Sequence, residues 1–133
     1  MTVSESLFDG NIASEAGGGL ALVDCLGGSG AWNSTFSDNK AQYGGGMSAS
    51  DCDMTLLAEG CTFVLNEVTG ARGVGAGVAI SGGTPTTLAS SIIAFSGVGE
   101  AAACEEGGAL NASACVAFGN AGGDWVGCLL GQE

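Results

Sequence analysis

Ser34-Thr35-Phe36-Ser37-Asp38-Asn39 and the nearby Gly44-Gly45-Gly46-Met47 form the stretch on which the fold turns. One repeat earlier the same pair reads Ser6-Leu7-Phe8-Asp9-Gly10-Asn11 and Gly17-Gly18-Gly19-Leu20. One repeat later it reads Cys61-Thr62-Phe63-Val64-Leu65-Asn66 and Gly75-Ala76-Gly77-Val78. A degenerate fourth copy is expected at Ile93-Ala94-Phe95 with Gly107-Gly108-Ala109-Leu110. The Phe-to-Phe steps are 28, 27 and 32, and the steps between the apolar residues after the glycines are 27, 31 and 32. Two markers keeping one period of about 30 residues signal a solenoid.

The period inside each repeat says which kind. After the glycines, Leu20 and Leu22 alternate with Ala21 and Val23, Met47 and Ala49 with Ser48 and Ser50, and Val78 and Ile80 with Ala79 and Ser81. Alternation of period two means strands. No stretch sustains a 3.6-residue period. The expectation is an all-β fold, a parallel β-helix of about four to five coils spaced about 4.8 Å apart. Residues 1–133 form one β-solenoid domain, an excerpt of or unit in a longer solenoid. Phe8, Phe36, Phe63 and Phe95 should stack inward as a ladder, and Asn11, Asn39 and Asn66 should line one corner, bonding the backbone or each other from coil to coil.

Composition agrees and excludes. Of 133 residues 26 are glycine, which suits tight corners. The net charge of −12 with only two Lys and Arg removes nucleic acid as a partner. Histidine is absent, so imidazole catalysis is excluded. No apolar run is long enough for a membrane span, so no membrane insertion is expected. Met1-Thr2-Val3-Ser4 opens without a basic-then-apolar leader. Six cysteines nevertheless suit an oxidising compartment, so the expected location is extracellular or at the cell surface.

Phe8-x-x-Asn11, Phe36-x-x-Asn39 and Phe63-x-x-Asn66, each followed by small-residue glycine clusters, resemble the repeats of bacterial secreted and surface parallel β-helix proteins, of which the polymorphic outer-membrane-protein repeats are the best known. The fourth copy keeps Phe95 but has Val98 at the Asn position. The resemblance implies a right-handed coil. It speaks for fold and hardly at all for activity, because such coils serve adhesins, passengers and enzymes.

Chemistry-bearing residues are few. Cys25, Cys52 and Cys115 each lie five residues beyond Leu20, Met47 and Leu110, which places Cys25 and Cys52 in adjacent coils as a candidate disulfide. Cys104, Cys115 and Cys128 cluster late, where a bridge could tie down the last coil. Six cysteines allow 15 connectivities. No cofactor is expected, apart from a weak Ca²⁺ candidate at Asp24, Asp51 and Asp53, set against a solvated acidic corner. A polysaccharide lyase would need a basic proton acceptor, for which only Lys40 and Arg72 exist; a hydrolase would need paired carboxylates such as Asp51 and Asp53.

The reading is a non-catalytic structural, adhesive or self-assembling surface module. Its expected partners are other copies or neighbouring coils met through the coil ends, and surface glycans or proteins. The alternative is a carbohydrate-binding or polysaccharide-degrading β-helix fragment. The sequence shows no polar helix to cover either end of the stack, so open coil ends are expected.

Overall fold

The alternation seen in the sequence becomes sixteen short strands among the described residues. The computed structural model describes residues 1–125, 127–129 and 132. Leu20–Val23 buries Leu20 and Leu22 and exposes the residues between and after them. Thr35–Ser37 and Thr62–Val64 each bury only their central phenylalanine. All pairings are parallel, and the strands stack into a β-solenoid of about four turns.

Three long sheets run along the axis. The first joins Thr2–Ser4, Gly30–Trp32, Leu56–Glu59, Pro85–Ala89 and Ala109–Ser113. The second joins Leu7–Asp9, Thr35–Ser37, Thr62–Val64, Ile92–Ala94 and Val116–Phe118. The third joins Leu20–Val23, Met47–Ser50, Val78–Ser81 and Ala102–Cys104. Lys40–Ala41 and Glu67–Val68 form a short pair between the second and third sheets.

The core is a set of columns. Phe8, Phe36 and Phe63 pile ring on ring, with centroids 4.8 Å apart and planes within 7°. Phe36 and Phe63 are fully buried. The next rung is not Phe95. Register pairs Phe63 with Ile93 and Ile93 with Ala117, while Phe95 lies two residues on, half-exposed at a corner with φ 57°. Ile93 fills the slot because it is in register with Phe63 inside the strand, whereas Phe95, of the same parity, falls just past the strand's end, where the left-handed corner breaks the alternation.

Corners are equally regular. Glu5, Asn33, Gly60, Ser90 and Ala114 end the first-sheet strands in left-handed backbone, and Gly10, Asp38, Leu65, Phe95 and Gly119 do the same after the second. Asp24, Asp51, Gly82 and Glu106 follow the third sheet. Gly17 and Gly44 precede it, and there only glycine fits, because a Cβ would lie 2.3 Å from Leu20 O and 2.1 Å from Met47 O.

The residue after a second-sheet corner reads the neighbouring coil. Asn39 Oδ1 accepts from Asn11 N at 3.0 Å, and Asn66 Oδ1 accepts from Asn39 N at 3.0 Å. Asn39 Nδ2 donates to Phe8 O and Asn66 Nδ2 to Phe36 O, both at 2.8 Å. In the fourth coil this position belongs to the buried Ser96, not Val98, and Ser96 N donates to Asn120 Oδ1 at 3.1 Å. Asp124 then ends the column, its Oδ1 accepting from Asn120 N at 2.8 Å.

The fourth glycine motif also moves. Val78 and Ile80 pair with Ala102 and Cys104, so the fourth rung of the third sheet follows Gly99. Gly107-Gly108-Ala109-Leu110 instead leads into the first-sheet strand paired with Pro85–Ala89. The segment linking the second and third sheets occupies residues 65–77 in one coil but 95–101 in the next, so constant spacing overshoots by one element.

The C-terminal end is covered after all. The 3-10 turn Gly127–Leu129 buries Leu129, and Trp125 and Cys128 pack against the core. A disulfide joins Cys104 to Cys128 with Cα atoms 5.8 Å apart. Gln132 Nε2 donates to Leu110 O at 2.9 Å, and its Oε1 accepts from Ala112 N, so one side chain occupies both a carbonyl and an amide of the last first-sheet strand. No helix among the described residues is long and apolar enough to cross a membrane.

Candidate functional site

The third sheet carries a concave surface. Past the first coil its outward side chains are small: Ser48, Ala79 and Ala103 on one row, Ser50 and Ser81 on the next, which the exposed Val23 begins. A groove of about 270 Å³ lies over them, lined also by Tyr43, Val74, Glu105 and Glu106. Tyr43 is held there by parallel bridges to Ala16 and Val74 in the coils on either side. The groove offers a phenol, serine hydroxyls and two carboxylates. That set can hydrogen-bond and stack against a polar ligand.

The acidic candidates sit at the corner leaving this sheet. Asp24 and Asp51 occupy equivalent left-handed positions in adjacent coils, and both are exposed, as is Asp53. Asp53 N donates to Cys25 O. Among the described residues, no group of three or more His, Cys, Asp or Glu side chains is placed to hold a metal ion. Lys40 is engaged with Glu67 at 2.7 Å; that hydrogen bond and the Glu67 charge hold its ammonium above the usual lysine range. Arg72 lies exposed in the turn after Gly70, outside the groove lining.

The cysteines separate into different columns. Cys25 and Cys52 follow Asp24 and Asp51, and both are free thiols. Cys115 does not continue them. Register pairs Val116 with Ile92 and Ile92 with Thr62, so Cys115 aligns with Ser91 and Cys61 after the first-sheet corner. The cause is the same overshoot, since Leu110 belongs to the first sheet. Cys61 and Cys115 are also free. Burial pushes the Cys61 thiol up.

Sequence reading missed a second surface. Leu65, Ile92, Phe95, Val116 and Phe118 are all exposed on or beside the outer face of the second sheet. Phe95 and Phe118 meet edge to face at 4.8 Å. In the first two coils the same outward positions are Leu7, Asp9, Thr35 and Ser37, so apart from the exposed Leu7 the apolar character gathers in the later coils. Exposure of Phe95 was the missing signal, and inward parity had concealed it.

Compared with known protein families, curated proteins and solved structures, the chain finds no match.

Proposed function

We propose that the chain is a non-catalytic, self-assembling β-solenoid module acting outside the cell or at its surface, of the polymorphic outer-membrane-protein-like type. One observation carries the reading, the asymmetry of the ends. The last coil is covered by Trp125, Leu129 and the Gln132 side chain. In the first coil, Thr2–Ser4, Leu7–Asp9 and Leu20–Val23 are each paired on one side only, and Phe8 is only half-buried. Open strand edges template further strands. The Phe and Asn columns arrive there in register, ready to accept another coil, whether from a longer solenoid or from a second copy. The Cys104–Cys128 bridge supports an oxidising location.

Light scattering after size exclusion tests this on the purified chain. The mass should rise with concentration beyond one chain, and Phe8→Lys should suppress the rise. A strictly monomeric species at all concentrations would overturn it.

A second reading, carbohydrate binding, is favoured by the Tyr43 groove with its hydroxyls and carboxylates. A glycan array with wild type and Tyr43→Ala decides it: ligands lost in the variant support the groove, and an unchanged or blank array rejects it.

A further inference from the structure

The register at the third-sheet corner brings two thiols together. Asp24 N donates to Ser50 O at 3.1 Å and Asp53 N to Cys25 O at 3.2 Å, so the ladder stays in step on both sides of Cys25 and Cys52. Their Cα atoms are thus about one strand spacing apart, ~4.8 Å. A disulfide needs roughly 4.4–6.8 Å. Cys52 is buried, while Cys25 is partly exposed. Burial, aided by the side-chain hydrogen bond and charge of Cys25, holds the Cys52 thiol above its usual range.

The other free thiols lack such a neighbour. Cys61 stands between Ser34 and Ser91, and Ser91 separates it from Cys115. Two coil spacings, about 9.6 Å, exceed the reach of a disulfide.

We propose that Cys25 and Cys52 form a coil-to-coil disulfide when the chain meets a disulfide oxidant, completing a map of Cys25–Cys52 and Cys104–Cys128 with Cys61 and Cys115 left as thiols. The accessible Cys25 thiolate attacks oxidised glutathione, forming a mixed disulfide and releasing one glutathione thiolate, which takes up the Cys25 proton. The Cys52 thiolate then attacks the Cys25 sulfur and expels the second glutathione, which takes up the Cys52 proton. Two electrons pass from the protein thiols to the oxidant, and two glutathione thiols result. The bond fastens the first coil, whose outer edge is open, to the second, and it is independent of whether that edge self-associates.

The experiment treats the folded chain with oxidised glutathione, denatures it without reductant, alkylates it and maps the peptides. Free thiols should fall from four to two, with the Cys25 and Cys52 peptides linked. Cys25→Ser should leave three thiols after the same treatment, and Cys61→Ser should leave the link intact. Amide exchange in residues 20–25 should slow on oxidation in wild type and not in Cys25→Ser. Recovery of Cys25 and Cys52 as separate alkylated or glutathione-capped residues, or linkage of either to Cys61 or Cys115, would overturn the map.

Discussion

Replacing Asn39 by alanine tests the architecture at its most demanding point. Asn39 is fully buried, and its amide serves two coils. Its Oδ1 accepts from Asn11 N at 3.0 Å and Asn11 Nδ2 at 2.9 Å. Its Nδ2 donates to Phe8 O at 2.8 Å and to Asn66 Oδ1 at 3.1 Å. Truncation removes all four bonds, leaves Asn11 N without its partner, and leaves Phe8 O with its strand-ladder bond alone. Each group stranded in this way costs about 1–3 kcal/mol. Solvent can reach Asn11 N, so the low end applies there; Phe8 O lies deeper. The expected loss is about 3 kcal/mol, a large share of the stability of a domain this size. Asn11 is the internal control, because it is exposed and no further coil bonds its Oδ1; Asn11→Ala should cost under about 1 kcal/mol. Asn39→Asp keeps the acceptor and loses the donors, so it should fall between the two. Urea unfolding followed by far-ultraviolet circular dichroism reads the midpoints. If Asn39→Ala proved no costlier than Asn11→Ala, the corner amides would be bystanders and the column reasoning would fail.

Phe36→Ala should destabilise by about 3–5 kcal/mol, because a fully buried ring stacked on two others leaves a cavity that the narrow coil cannot close. A chain that still melts near the wild-type temperature would refute this. Leu65→Asn should stabilise the fold by about 0.5–1 kcal/mol, read as a higher urea midpoint, since an exposed leucine at φ 58° is strained where asparagine is tolerated. Backbone bonds from Asn120 and Gly119 hold the Asp124 carboxyl below its usual range. A depressed folded pKa gives stability that is full above the unfolded value of about 4 and fades as pH falls through the folded value. The C-terminal coil should therefore open first on acidification below about pH 4, seen as a Trp125 fluorescence change that Asp124→Asn abolishes. Iodoacetamide should modify the half-exposed Cys115 well before the buried Cys61, and equal rates would contradict the burial.

The first three coils were legible because their markers are inward residues repeating at nearly constant spacing. Phe8, Phe36, Phe63, Asn11, Asn39 and Asn66 stand in the columns expected of them. The fourth coil was not legible. Its corner carries a phenylalanine where others carry Gly10 and Asp38, and an aromatic residue reads as core even when φ turns it outward. The shortened segment 95–101 shifted the glycines and with them the column assigned to Cys115. The covering of the last coil was hidden for another reason. It rests on Asp124, Trp125, Leu129 and Gln132 acting singly, with no periodic pattern to announce them.

The amide column is interrupted once. Asn11, Asn39 and Asn66 form one run, Ser96, Asn120 and Asp124 another, and Ser96 has no amide to offer Asn66. Pulled along its axis, the rod therefore has a seam between its third and fourth turns, held at that corner by strand pairing alone. Under tension it should part there first, leaving the disulfide-closed stub intact while the upper turns peel away as a unit.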